Sequence, residues 1–173
     1  MDPARKRRRF AQLVNDNPNV DLQIFSGMSS QSLCRKGFTG TNISIETVPY
    51  DQLLERMGEA DIVIHPHGFY GPMEEHEYQT IFPTKTIEYL LCKRPILAHL
   101  PGDCFLAEFY REYDCALIVD EPTIDALERG LEKLCQEDLR RRLVDNALKA
   151  ARQFYAPLVA AQLRQTLIAS LSR

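Results

Sequence analysis

The sequence has no CxxC pair, no apolar run of membrane-spanning length and no excess of positive charge. Its five cysteines are odd in number and widely spaced, which indicates free thiols and argues against a disulfide framework. A bilayer span needs about 20 consecutive apolar residues, and no signal-peptide core follows the charged N-terminus. A net charge of −3 gives no general attraction to nucleic acid. These absences predict a cytoplasmic protein without a transmembrane segment or nucleic-acid partner, and leave peripheral contact with the inner face of a membrane open.

The composition is that of a single globular domain. A chain of 173 residues that is 45% hydrophobic and 26% charged can bury a full core. We therefore expect one domain over residues 1–173, in which residues 152–173 form a terminal helix with an apolar stripe. The stripe consists of Leu163, Leu167 and Leu171.

Short apolar runs alternate with amphipathic stretches along the chain, which is the pattern of a parallel α/β sheet. Strands are predicted at residues 20–25, 43–48, 62–64, 95–99 and 116–119. The run at 62–64 is typical of a strand buried on both faces, whereas 43–48 alternates like an edge strand. We expect a Rossmann-like doubly wound parallel sheet of about five strands in the order 2-1-3-4-5, with helices on both faces and extra C-terminal helices. The first crossover, from Ser26 to Asn42, has no clear pattern.

The most informative stretch runs from Phe82 to Leu97 and has the sequence FPTKTIEYLLCKRPIL. Pro83 suits the first position of a helix, where its missing N–H is not needed. Free backbone N–H groups at a helix start favour an anion, and Thr84 and Lys85 there indicate phosphate. Glu88 lies one turn further on and suits the hydroxyl groups of a ribose. The helix is expected to bury Ile87, Leu90 and Leu91.

A simpler interpretation of the same stretch remains open. Lys85 and Glu88 are also what an ordinary solvent-facing helix surface would contain. In that case they form an i, i+3 ion pair worth about 0.2–0.5 kcal/mol.

Other candidate ligand residues stand where predicted strands end, because ligands of doubly wound sheets bind beyond the carboxyl ends of the strands. His65 and His67 end the strand at 62–64, and each either contacts a sugar or phosphate or simply closes the strand. Gly27 follows the first strand, where a plain turn is the alternative to ligand contact. A later loop contains the acidic cluster Glu74, Glu75, His76 and Glu77. Consecutive loop residues rarely converge on one ion, so no metal site is expected.

The segment FPTKTIEYLLCKRPILAH resembles the donor-site segment of glycosyltransferases with the two-Rossmann-domain (GT-B) architecture, especially the retaining family 4, or group 1, transferases. The similarity extends from about Asn19 to Phe154 and includes ADIVIHP at residues 60–66. It implies a C-terminal domain that binds a nucleoside diphosphate sugar and uses no cofactor. Lys85 and Glu88 are then the catalytic candidates. The donor-binding residues implied are Lys6, Gly27, His65, His67, Pro83, Thr84, Lys85, Thr86, Glu88 and Gly102.

The chain also departs from the family pattern. Many relatives carry an acidic residue where Thr80 stands, and a small residue where Lys93 stands. A glycine at position 93 would cap the helix more favourably by about 1 kcal/mol. The acceptor-binding N-terminal domain of the family has no counterpart in the sequence.

The resemblance implies metal-independent transfer of a glycosyl group to a glycan or lipid-linked acceptor, as in polysaccharide biosynthesis. An acceptor-binding domain or subunit, or a second copy of the chain, would complete the enzyme. In full-length relatives the terminal helix crosses onto the other domain. Two alternatives remain open at this point. One is a non-catalytic module of the same fold that binds a nucleotide or a protein partner, and the other is a sugar-nucleotide epimerase relative.

Overall fold

The computed structural model of the chain describes residues 11–67, 69 and 79–171. The strands are β1 (Leu22–Phe25), β2 (Ile43–Glu46), β3 (Val63–Pro66), β4 (Ile96–His99) and β5 (Leu117–Val119). The labelled helices are α1 (Ser30–Arg35), α2 (Tyr50–Met57), α3 (Thr86–Leu91), α4 (Phe105–Glu112), α5 (Ile124–Lys133), α6 (Glu137–Ala151) and α7 (Ala156–Leu171), with a 3-10 turn at Arg152–Phe154. Residues 11–16 are also helical. This alternation confirms the predicted α/β class.

The strands pair in parallel but form two sheets. β1 pairs with β2, and β4 lies between β3 and β5. These pairs agree with the expected order 2-1-3-4-5 except at one point, because no backbone ladder joins β1 to β3 within the described residues. Phe25 of β1 packs against the core, so side-chain contact links the two sheets where hydrogen bonds were expected. The guanidinium of Arg56 also lies 5.8 Å from the centre of the Phe25 ring.

β4 is the most buried strand, as its apolar sequence predicts. Ile96, Leu97 and Ala98 are fully buried. Because successive side chains of a strand point to opposite faces, Ile96 and Ala98 join one hydrophobic cluster and Leu97 joins the other. Helices therefore cover both faces of the three-stranded sheet. On the Leu97 side, α5 comes so close that a Cβ at Gly130 would lie 2.7 Å from Cγ2 of Val119.

The crossover from β1 to β2 contains a helix that the sequence did not reveal. α1 has six residues, and its N-terminus is capped by Ser29, whose hydroxyl accepts a hydrogen bond from the N–H of Ser32 at 3.3 Å. Its one buried residue is Leu33. A helix this short gives too few turns for a hydrophobic period to be visible.

The terminal helix α7 packs differently from the rest of the chain. It has 16 residues, and none of them is buried. The predicted stripe is exposed: Leu163 is 59% exposed, Leu167 55% and Leu171 87%. Among the described helices, none is long and apolar enough to cross a bilayer.

All five cysteines are free thiols, as their number and spacing predict. Cys92, Cys104 and Cys115 are buried, whereas Cys34 and Cys135 are exposed. Burial raises the pKa of each of the three buried thiols, in the case of Cys115 to about 12.

Candidate functional site

The candidate residues converge where β3 and β4 end. Pro66 lies opposite His99 in the parallel register, and the N–H of His67 donates to the carbonyl of His99 at 3.0 Å. Nε2 of His99 in turn lies 3.1 Å from the carbonyl oxygen of Glu121, which follows β5. The three strands thus share one carboxyl edge, and α3 packs against β3 beside it. This is the place where doubly wound folds bind ligands.

His65 lies beneath this edge and inside the core. It is 2% exposed, its Nδ1 is 2.6 Å from the Tyr110 hydroxyl, and its ring stacks on Tyr89 at 4.4 Å. Burial lowers the pKa of His65 to about 3, and the charges of His67 and Lys85 add to this effect. The imidazole is therefore neutral at physiological pH. The structure gives His65 a partner within the core and places the charge of Lys85 near it.

The entrance to α3 differs from the expected one. The helix begins at Thr86, three residues after Pro83, because a turn precedes it in which the N–H of Thr86 donates to the carbonyl of Pro83 at 2.9 Å. The N–H of Ile87 similarly donates to the carbonyl of Thr84 at 3.3 Å. Two of the backbone donors expected to face a ligand are thus used within the chain.

The donors that remain are those of Thr84 and Lys85. Both residues are exposed, and within the described chain their N–H groups donate to no backbone carbonyl. The Lys85 ammonium also forms no ion pair with a described carboxylate. The ion pair between Lys85 and Glu88 that the simpler interpretation included is therefore not formed. A cation and two backbone donors are available at this turn.

Glu88 is held by a residue that the sequence did not suggest. The Tyr50 hydroxyl donates to Oε1 of Glu88 at 2.9 Å, and this hydrogen bond raises the pKa of the Tyr50 phenol. The other carboxylate oxygen, Oε2, is buried and has no hydrogen-bond partner in the described part of the chain. Tyr50 begins α2 at the carboxyl end of β2. The rule that ligand residues follow strand ends, applied to β2 as well, would have found it.

The rest of α3 anchors this turn to the core. Thr86 and Leu90 are fully buried, and among the described residues Oγ1 of Thr86 has no hydrogen-bond partner. Leu91 is 41% exposed, contrary to expectation, because it lies about 100° around the helix from Leu90. Lys93, which follows the helix, has φ 60°, the conformation for which a glycine was expected there.

The two glycine candidates lie in different surroundings. A Cβ at Gly102 would lie 2.8 Å from Oδ2 of Asp120, and Arg111 donates to the Gly102 carbonyl at 2.5 Å. Gly102 thus allows the loops after β4 and β5 to pack closely. Gly27 is exposed at the end of β1, where an added Cβ would meet nothing within 4 Å.

Other predicted features lie outside the described residues. These are Lys6 and the acidic cluster Glu74, Glu75, His76 and Glu77. In the ranges that the structure does describe, no three His, Cys, Asp or Glu side chains are grouped so as to hold a metal ion. The structure therefore brings together Thr84, Lys85, Thr86 and Glu88, with His65 near the charge of Lys85. His67 follows β3, Gly27 follows β1 and Gly102 follows β4.

No family model matches the chain, and no curated protein does. Two solved structures are similar in fold. Sucrose-phosphate synthase from Thermosynechococcus elongatus covers 98% of the chain with a TM-score of 0.68 and 17% sequence identity. WaaG, a glycosyltransferase involved in lipopolysaccharide biosynthesis, covers 83% of the chain with a TM-score of 0.60 and 21% identity.

Each of these similarities spans most of the chain, so the expected Rossmann-like α/β fold class is confirmed. The chain spans 44% of the length of the first and 38% of the second. At these identities the similarity establishes the fold alone, and function depends on the residues of the site.

Proposed function

We propose that the chain is the donor-binding half of a glycosyltransferase, which binds a nucleoside diphosphate sugar for transfer to a glycan or lipid-linked acceptor. The observation that carries this proposal is the start of α3. Lys85, which forms no ion pair with a described carboxylate, lies one turn from Glu88, whose oxygen Oε2 has no partner among the described residues. The site lies at the carboxyl edge of a sheet with the GT-B fold.

The side chains of Lys85 and Glu88 suit two adjacent parts of a nucleoside diphosphate, the diphosphate and the ribose. The Lys85 ammonium and the N–H groups of Thr84 and Lys85 are donors for a diphosphate, while the Glu88 carboxylate accepts hydrogen bonds from ribose hydroxyls. Residues three apart on a helix have Cβ atoms about 5–6 Å apart, so neighbouring groups of one ligand can reach both.

In glycosyl transfer, negative charge accumulates on the departing nucleoside diphosphate. Fixed donors aimed at that charge lower the barrier, because they need no reorganisation as the bond breaks. Lys85 has this role in the proposal, with Glu88 holding the nucleoside in place. Pro83, Thr86, His65, His67, Gly27, Gly102 and Lys6 remain candidate donor-site residues.

The acceptor requires a further surface. The chain spans less than half of each similar structure, and α7 presents Leu163, Leu167 and Leu171 to solvent. We propose that an acceptor-binding domain or subunit covers α7 and completes the cleft, or that a second copy of the chain does so. Transfer then requires that partner, whereas nucleotide binding does not.

Isothermal titration of the chain with UDP, GDP and ADP tests the donor site. We expect at least one of them to bind. Lys85→Ala should weaken that binding by roughly tenfold or more, since hydrogen bonds to charged groups contribute about 1.5–3 kcal/mol. Glu88→Ala should weaken it as well. Lys133→Ala and Glu128→Gln, which change exposed residues of α5, serve as matched controls.

Two results would overturn the proposal. One is the absence of binding for all three nucleotides. The other is an affinity of the Lys85 and Glu88 variants equal to that of their controls. A second candidate function, a protein-interaction module without a nucleotide site, is favoured by the exposure of α7, and it predicts the first of these results.

A further inference from the structure

Tyr50 makes a long-range hydrogen bond although its side chain is exposed. Its hydroxyl reaches Glu88 across a separation of 38 residues, and this links the start of α2 to the first turns of α3. Tyr50 is 77% exposed. Packing therefore contributes little to the position of its ring, and the hydrogen bond to Glu88 is the main interaction that orients the side chain.

The contact matters more to Glu88 than to Tyr50. Glu88 is half-buried, and Tyr50 is the one hydrogen-bond donor that the described chain offers to its side chain. No described cation lies within ion-pairing distance of the carboxylate. A partly buried carboxylate without a donor loses solvation, so it turns toward water. The Tyr50 hydroxyl opposes this change.

The hydrogen bond from Tyr50 leaves other lone pairs of the Glu88 carboxylate able to accept hydrogen bonds. A carboxylate has two oxygens and about four lone-pair sites. Tyr50 uses one site, on Oε1, while Oε2 has no described partner and remains covered. A buried acceptor that lacks a partner is stabilised when a donor reaches it. Two neighbouring hydroxyl groups of one ligand match the sites that remain.

We propose that Tyr50 is a positioning residue of the donor site, whose hydroxyl fixes the Glu88 carboxylate so that it accepts the 2′ and 3′ hydroxyls of a ribose. This inference rests on the proposed function for the ligand of Glu88. It adds to the site a residue that follows β2, a strand of the two-stranded sheet. It also makes Tyr50 a determinant of the preference for ribose over a sugar without these hydroxyls.

The test compares each nucleotide with its analogue that lacks both hydroxyls. UDP, GDP and ADP and their 2′,3′-dideoxy counterparts are titrated into the wild-type chain and into Tyr50→Phe, which keeps the ring. We expect Tyr50→Phe to weaken binding of the ribonucleotide roughly fivefold to tenfold. This is less than the roughly tenfold or more for direct loss of a hydrogen bond to a charged group, because Tyr50 acts through Glu88. Binding of the dideoxy analogue should not change. In a Glu88→Ala background, Tyr50→Phe should have no further effect.

The matched control is Tyr155→Phe, because Tyr155 is another exposed tyrosine, at 64%. If Tyr50→Phe weakens both nucleotide forms equally, Tyr50 is merely structural and the inference is wrong. The inference is also wrong if neither form is affected. A wild-type chain that binds no nucleotide instead overturns the proposed function, and the role of Tyr50 with it. If the wild-type chain binds both forms with equal affinity, Glu88 does not accept hydrogen bonds from the ribose hydroxyls, and the inference is wrong.

Discussion

Helices α6 and α7 follow one another and are nearly equal in length, at 15 and 16 residues, yet they differ completely in what they bury. α6 buries Leu143, Ala147, Ala150 and Ala151 and packs against α3, whereas none of the residues of α7 is buried. Both are rich in leucine and alanine, which favour helices wherever they lie. Isolated helices of this length are marginal in water. No described surface buries α7, so helix propensity is the stabilising contribution that the described residues offer it. A surface that would stabilise it by packing is not among the described residues.

The largest expected effect separates the two helices directly. Leu143 of α6 is 2% exposed and Leu163 of α7 is 59% exposed. Leu143→Ala should lower the free energy of unfolding by about 2–5 kcal/mol, because it leaves a cavity. Leu163→Ala should change it by no more than about 0.5 kcal/mol. Urea denaturation followed by circular dichroism measures both.

A large loss of stability in Leu163→Ala would break the comparison. It would mean that α7 is covered in solution by another copy of the chain. Light scattering at the same protein concentrations would then show an assembly, and this assembly should dissociate in the variant.

The next effect is a pH dependence of the core that α6 helps to close. His65 contacts Tyr110, which shares a hydrophobic cluster with Ala147 and Ala150. The pKa of His65 is about 3 in the folded chain, against 6.5 for an unperturbed histidine. Between these values the unfolded chain binds more protons. Stability is therefore fully present above about pH 6.5 and falls as the pH drops toward 3, by up to about 1.4 kcal/mol per pH unit.

Urea denaturation at pH 7 and pH 5 measures this dependence. His65→Gln should make the curve flatter between the two values. Equal stability of the wild-type chain at both pH values would show that His65 is not shielded from water.

The smallest expected change in stability is at the end of α3, the helix against which α6 packs. Lys93 has φ 60°, which glycine adopts without steric cost. Lys93→Gly should therefore raise the free energy of unfolding by up to about 1 kcal/mol. Lys133→Gly, within helix α5, should lower it by a similar amount. Thermal unfolding of the two variants would reveal opposite signs, and a destabilised Lys93→Gly would contradict the assignment.

Much of the fold could be predicted because its signals are local. The apolar run at 62–64 predicted a strand buried on both faces, and in β3 Val63 is buried while Ile64 is half-buried. The run at 95–99 predicted β4, in which Ile96, Leu97 and Ala98 are fully buried. The missing ladder between β1 and β3 could not be predicted, since it depends on how Phe25 packs against distant residues. α1 was missed because six residues are too few to show a helical period.

The candidate site shows the same division between local and distant information. The motif placed Lys85 and Glu88 one turn apart at a helix start, because their spacing is a property of the sequence, and the structure has Lys85 at the N-cap of α3 and Glu88 in its first turn. Pro83 suggested a helix start three residues too early, because a hydrogen-bonded turn precedes α3. The contact between Tyr50 and Glu88 joins residues 38 positions apart. The strand-end rule could place Tyr50 at the edge of the sheet, but it could not pair Tyr50 with Glu88.

The distribution of the cysteines gives the chain an internal chemical reporter. The thiolate is the nucleophile that reacts with thiol reagents, and it must be reached by them. Cys34 and Cys135 are exposed and therefore accessible to modification in the native state. Cys92, Cys104 and Cys115 are shielded, and their raised pKa values keep them protonated. Cys104 and Cys115 flank α4, and Cys92 ends α3. Alkylation of these three therefore records opening of the core beneath the candidate site, and no artificial label has to be introduced.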